Sequence, residues 1–271
     1  WYWLNERSLK FLNNKAGYLQ GDETPESRHE DIANYLQGIL GIPGYAKDFL
    51  YFCKQGYYAL STPILSNVGR KNALPFSCSN QHIGDSLGEI SFGRGETAMM
   101  TKMGMGCSAY FSPLRPKGGP ISNSVVPSPG SLYFAKGFDN TVKEVNQGVR
   151  RGFIAGYWDA EHPDIMDVLE IQRDGNDIQD MNYGICMTDA FLEKARSGDP
   201  TAQATLVKVH ESRFMTGLPY LFLTDNVNRA KPDTYVELDL TINSSNLCTE
   251  ILEVSNEKYS FVCDIAAMNA T

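Results

Sequence analysis

Residues 153–171, FIAGYWDAEHPDIMDVLEI, change character half-way along. Phe153 to Trp158 is a short apolar run of strand length, and Pro163 to Ile171 has the spacing of a helix. A strand running straight into a helix is one unit of a parallel sheet, because each parallel return needs a crossover.

The same alternation extends in both directions. Further strands are predicted over Ala73–Asn80, Cys107–Phe111, Asn182–Met187, Pro219–Leu223 and Tyr259–Ile265. Helices are predicted between them over Asp85–Met103, Leu132–Asn146, Asp189–Ala195 and Thr201–Phe214. The expected class is α/β with largely parallel strands. The first sixty or so residues read differently, as mostly helical. Glu26–Leu40 carries Ile32, Tyr35, Leu36, Ile39 and Leu40 at helical spacing and stops at Gly41 and Pro43, and a second helix follows over Tyr45–Gln55. Residues 1–58 are therefore expected to form an N-terminal helical region, and residues 59–271 the α/β unit. One segment fits neither pattern: Ser112 to Gly130 is rich in Gly and Pro, which suits a surface linker or a ligand-binding loop held between rigid elements.

The chain has 271 residues, 42% hydrophobic and 21% charged, with a net charge of −8. That is an ordinary globular composition, and no basic cluster longer than Arg150-Arg151 offers a footprint for nucleic acid or an anionic membrane. No apolar stretch of about eighteen residues occurs, and the N-terminus lacks the plan of a signal peptide, so a cytoplasmic location is expected. The chain opens on Trp1 and closes on an apolar run, so it is expected to be cut at both ends. Six scattered cysteines, Cys53, Cys78, Cys107, Cys186, Cys248 and Cys263, form no C-x-x-C pair and have no His-rich companion, which argues against a zinc site or a disulfide framework. His162 lacks companions for a metal and reads as structural.

The densest chemistry lies in Ser245-Asn246-Leu247-Cys248-Thr249-Glu250-Ile251. If this segment is extended, Asn246, Cys248 and Glu250 project from one face and bring an amide, a thiol and a carboxylate together. A thiol can act as a nucleophile or give up a hydrogen atom, and a neighbouring carboxylate can act as general base. A polar edge strand of no function would look the same.

SNLCTEI resembles the finger-loop motif of class I ribonucleotide reductase large subunits. GYLQGDETPE, LSTPILSN, CSNQHIGDSL, SPLRPKGGPI, NQGVRRG, EHPDIMDVLEI, MNYGICMTDAF, TGLPYLFLTDNVNRA and VCDIAAMN extend the resemblance, in order, over nearly the whole chain. It implies the first half of a ten-stranded α/β barrel with a central finger loop, preceded by a small helical segment. It also implies reduction of ribonucleotides to 2′-deoxyribonucleotides by thiyl-radical chemistry.

Carried over residue by residue, the resemblance makes Cys248 the radical carrier that takes hydrogen from C3′ of the ribose. Glu250 becomes the base for the 3′-hydroxyl, Asn246 a substrate ligand, and Cys78 with Cys263 the redox pair. Thr62 and Ser77 match substrate-binding positions, and Thr62, standing before Pro63, is expected to be extended rather than helical. Asp85, Ser86, Leu87 and Arg115 match a deoxynucleotide or ATP effector site, although from sequence alone Asp85 reads as an ordinary helix N-cap. Arg150, in a loop resembling the one that links effector to substrate, is the candidate for a base or phosphate contact. Cys53, Cys107 and Cys186 are read as packing residues.

By the same resemblance the chain binds no cofactor itself. The partners implied are a dimetal-containing small subunit that supplies the radical, thioredoxin or glutaredoxin as reductant, and a second copy in a homodimer. An adenosylcobalamin-dependent reductase of the same fold is the alternative, disfavoured by Leu247, where those enzymes usually have proline. A catalytically dead module retaining only nucleotide binding is a third reading.

Overall fold

The computed structural model describes residues 1–13, 18–71, 73–122, 124–145 and 152–269. The N-terminal part holds α1 (Glu6–Leu12), α2 (Pro25–Leu40) and α3 (Tyr45–Gln55). Thr24 caps α2 through a reciprocal box with Ser27, Pro25 stands in the first turn, and Gly41 in the left-handed conformation ends it. Ile32, Ala33, Phe49, Cys53, Leu65 and Val68 form the core of this region.

The chain then enters β1 (Tyr58–Leu60) and α4 (Thr62–Asn67), and from there the sheet: β2 (Cys78–His82), α5 (Leu87–Lys102), β3 (Gly106–Tyr110), α6 (Ser131–Glu144), β4 (Ile154–Asp159) and α7 (Ile165–Val168). It continues through β5 (Asn182–Met187), α8 (Asp189–Arg196), α9 (Pro200–Thr216), β6 (Tyr220–Leu223), α10 (Thr224–Arg229), α11 (Asp233–Glu237), β7 (Phe261–Cys263) and β8 (Ala266–Met268). Strand order in the main sheet is β6-β5-β4-β3-β2-β7, and β1 pairs with β8 in a separate antiparallel pair. β2 to β6 are parallel, as the alternation predicts, whereas β7 returns antiparallel to β2.

Period-two alternation sorts the strand residues onto two faces. Cys107, Ala109, Phe111, Ile154, Trp158, Tyr183 and Ile185 pack beneath the helices with Phe138, Val142 and Val209. Tyr110, Ala155, Tyr157, Cys186 and Phe222 face the other way, against Ile242, Leu247 and Val254 of the irregular segment that follows α11. β3 is buried at all five positions, as a strand covered on both faces should be.

Three local expectations fail. Thr62 is helical, because Pro63 falls in the first turn of α4, where a missing N–H costs nothing. The helix expected over Pro163–Ile171 shrinks to four residues. Its N-terminal side is occupied instead by a polar knot around Asp164. The Asp164 carboxylate accepts from Lys117 N at 2.9 Å, Ser131 N at 2.8 Å and Ser131 Oγ at 2.8 Å. His162 accepts from Asp164 N at Nδ1, which leaves its Nε2 hydrogen to donate to Leu114 O at 2.9 Å. Thirdly, Ser112–Gly130 does not behave as a free linker: Leu114 and Ser128 are buried, and Asp164 ties Lys117 of this segment to the start of α6.

Asp164 is itself buried, so Asp164→Ala strands three donors. A loss of about 3 kcal/mol of stability is expected in denaturant unfolding, far above the effect of an exposed Asp→Ala.

Candidate active site

Cys78 begins β2 and Cys263 ends β7, and the two are direct partners in the antiparallel register. Opposed residues in such a ladder have Cα atoms about 4.5 to 5.5 Å apart, inside the range a disulfide requires. In a sheet expected to be largely parallel this pairing is antiparallel, and it sets the two cysteines in direct opposition. Both cysteines are buried, and none of the six cysteines is in a disulfide. A hydrogen bond to Cys78, then burial, pushes the Cys263 thiol well up, with the Glu250 carboxylate adding to the shift.

Residues 245–251 are not an extended strand. Thr249 N donates to Asn246 O at 3.2 Å, closing a turn over Leu247 and Cys248, and Thr249 takes φ of 68°. The alternation argument fails, yet the residues still converge, because Asn246 organises the turn from within. Its fully buried amide accepts at Oδ1 from Glu250 N and Ile251 N, each at 3.1 Å, and donates from Nδ2 to Glu250 Oε1 at 2.8 Å. Cys248 sits at the exposed tip. Partial burial, then the charges of Glu250 and Cys78, raise its thiol above the usual cysteine range. Those influences place Cys248, Glu250 and the Cys78–Cys263 pair in one electrostatic neighbourhood.

The loop enters along a buried polar seam. Asn80 Nδ2 donates to Ser244 Oγ at 2.9 Å, and Ser108 Oγ reaches Asn80 Oδ1 at 2.9 Å and Ser245 O at 2.8 Å. Leu247 lies over Gly106, where a Cβ would come within 2.7 Å of its Cδ2, so any larger residue there would displace the Leu247 side chain. Ser77 is adjacent, its hydroxyl donating to Asp264 Oδ1 at 3.1 Å beside Ser61 Oγ at 2.8 Å. Thr62 follows Ser61, its hydroxyl engaged with Tyr18 OH at 3.1 Å.

The residues matched to an effector site gather past the far end of β2. Asp85 is not the cap of α5; Ser86 is, accepting from Glu89 N at 3.2 Å. That frees the Asp85 carboxylate to take Arg115 N at 3.1 Å and Arg115 Nε at 2.8 Å, while Arg115 Nη1 donates to Pro120 O at 2.7 Å. Leu87 is exposed in the first turn of α5. Arg150 lies outside the described residues. Among the described residues no group of three or more His, Cys, Asp or Glu is placed to hold a metal, and no helix is long and apolar enough to cross a membrane.

A family model for the ribonucleotide reductase barrel domain matches residues 76–209 and 199–271. The chain belongs to this family. The class Id ribonucleotide reductase alpha subunit of Actinobacillus ureae superposes with a TM-score of 0.90 at 42% identity, covering 98% of this chain and 49% of that one. A homologue from frog virus 3, whose name carries the words ribonucleoside-diphosphate reductase large subunit, is 28% identical over 96% of this chain and 46% of its own length. The vitamin B12-dependent ribonucleoside-diphosphate reductase of Thermoplasma acidophilum is 27% identical over 88% of this chain and 33% of its own. The chain thus spans between a third and a half of these relatives, and its sheet is a half-barrel of the reductase fold.

Sequence reasoning missed two parts of this reductase half-barrel. Asp264 was unremarked, though Ser77-Cys78 and Cys263-Asp264 are adjacent pairs that the β2–β7 register lays side by side. Tyr157 read only as strand core, and nothing local marks the loop contact it makes from ninety or so residues away.

The raised thiols give a direct check. Iodoacetamide labelling of Cys248 in the folded protein should follow a pH profile displaced to higher pH than that of the same residue in urea, since the reactive species is the thiolate.

Proposed function

We propose that this chain provides the radical and reducing thiols of a ribonucleoside-diphosphate reductase large subunit. The observation that carries this reading is the register that sets Cys78 against Cys263 within electrostatic reach of the Cys248–Glu250 loop.

In this reading Cys248, oxidised to a thiyl radical through a separate small subunit, removes the hydrogen atom at C3′ of the ribose. Glu250 accepts the 3′-hydroxyl proton, and the 2′-hydroxyl leaves as water. Cys78 and Cys263 together supply two electrons and two protons and end as a disulfide, and Cys248 returns its hydrogen atom to C3′. Asn246 holds Glu250 by the 2.8 Å bond and is the residue matched to the substrate hydroxyls. Ser77 and Thr62 line the approach to substrate. Thioredoxin or glutaredoxin resets the disulfide, and two copies pair as a homodimer in the cytoplasm. Greater likeness to a class Id subunit than to the B12-dependent enzyme, 42% against 27% identity, favours a radical from a second subunit over adenosylcobalamin.

The test uses the full-length parent with its small subunit and cytidine diphosphate. Pre-reduced enzyme without external reductant should form one Cys78–Cys263 disulfide per deoxynucleotide, read by peptide mass mapping, and Cys248→Ser should lower turnover by at least about a thousandfold. Turnover surviving Cys248→Ser, or a disulfide elsewhere, overturns the reading.

Asp85, Ser86, Leu87, Arg115 and Arg150 are assigned to a deoxynucleotide or ATP effector. The Asp85–Arg115 pair is about one-third exposed on each side, so it contributes under about 1 kcal/mol to stability. Arg115→Ala should therefore leave the unfolding midpoint nearly unchanged while weakening dTTP binding by about tenfold or more in calorimetry. Undiminished dTTP affinity removes Arg115 from the site.

A further inference from the structure

Tyr157 stands in the middle of β4, opposite Tyr110 on one side and Gly184 on the other. Its ring lies over Gly184, where a Cβ would come within 2.5 Å of Tyr157 Cε1, and it meets Phe222 edge-on at 6.3 Å between centroids. The ring is fully buried and its direction is fixed by these neighbours. Its hydroxyl then reaches across to the loop that carries Cys248.

There it makes two bonds. Tyr157 Oη donates to Asn246 O at 2.6 Å, which commits the phenol hydrogen, and accepts from Thr249 Oγ1 at 2.7 Å. These partners are the first and last residues of the turn, and between them lie only Leu247 and Cys248. Thr249 is β-branched and held at φ of 68°, a conformation that costs energy for such a residue and persists only where surrounding contacts enforce it. Burial raises the Tyr157 phenol well above its ordinary value, so it remains a neutral donor.

We propose that Tyr157 is a positioning residue for Cys248, its hydroxyl clamping both ends of the Asn246–Thr249 turn so that the thiol is presented at a fixed height and direction. The inference rests on the radical role of Cys248 given above. A clamp of this kind matters for hydrogen-atom transfer, in which a misplacement of about 1 Å can lower the rate about a hundredfold. Tyr157→Phe keeps the ring over Gly184 and removes only the hydroxyl, and Thr249→Val removes the other half of one bond at similar volume.

The experiment uses the full-length parent with its small subunit, cytidine diphosphate and its 3′-deuterated form. Tyr157→Phe should lower kcat about 10- to 100-fold with KM within about twofold of wild type. The deuterium effect on kcat should rise, because hydrogen abstraction becomes the slow step. Thr249→Val should move the same two quantities in the same direction, and the double variant should be no worse than Tyr157→Phe alone. If Tyr157→Phe fails to fold, Thr249→Val carries the test. Wild-type kcat and isotope effect in the foldable variants, or a loss confined to KM, overturns the positioning role. Cys248→Ser run in parallel separates the two claims: if it is inactive while Tyr157→Phe is normal, only the clamp fails, and if it is active, both fail.

Discussion

Side chains alternate across a strand, so a slip of one residue between β7 and β2 would turn Cys263 onto the opposite face from Cys78. The site depends on that register more than on any single contact. Several features pin it. Ser77 N donates to Cys263 O at 2.9 Å, and Asp264 collects the hydroxyls of Ser61 and Ser77 just beyond. Phe261 and Cys263 face inward while Val262 is exposed, so a shifted strand would bury the wrong set. A third influence is the long connection back from β6, which runs along the inner face and is anchored there by Ile242 and Val254.

That connection explains why the inner face of the half-barrel is partly polar. An irregular segment has no ladder to satisfy its backbone, so buried carbonyls such as Ser245 O and Asn246 O need side-chain donors. Ser108 and Tyr157 supply them from β3 and β4. On the other face Trp158 of β4 and Phe111, the residue after β3, meet the helices, stacked with ring centroids 5.1 Å apart. One face is thus built for packing, and the other for holding a loop in one place. Neither could be exchanged for the other without stranding buried polar groups.

Much of this is legible in the sequence, and the losses have physical causes. α3 begins and ends as its apolar pattern requires, and β5 is bounded as read, because both are long enough for periodicity to speak. The strand expected from Ala73 starts only at Cys78, with Ser77 just ahead of it bonded to Cys263 O and Gly106 N. Thr62, Asp85 and the Cys248 loop depart from their local signals for one shared reason. The signals are local: the bias before proline, an acid ahead of a helix, alternation in a short run. Each is overridden by a neighbour with a better geometry, Pro63 in a first turn, Ser86 at the cap, and Asn246 within the turn. The convergence of Asn246, Cys248 and Glu250 emerged from the wrong conformation because a turn with an internal cap also gathers side chains on one side. Tyr157 was out of reach for a different reason, since its role exists only across the space between a strand and a loop far along the chain.

The electrostatics of the thiols distinguish two ways of using cysteine. A nucleophilic cysteine is made reactive by cationic neighbours or a helix N-terminus, which lower its pKa and populate the thiolate. At this site the influences run the other way: burial, the Glu250 carboxylate and the neighbouring thiol all raise Cys248, and Cys78, burial and Glu250 raise Cys263. Such thiols keep their hydrogens at neutral pH. A thiolate has no hydrogen atom to return to carbon, and a dithiol that has lost its protons cannot deliver them to a departing hydroxyl. The same negative charge that suppresses thiolate formation belongs to the group proposed to accept the 3′-hydroxyl proton. Glu250 thus favours the protonated thiols, and the Asn246 amide that holds it ties this effect to the shape of the turn.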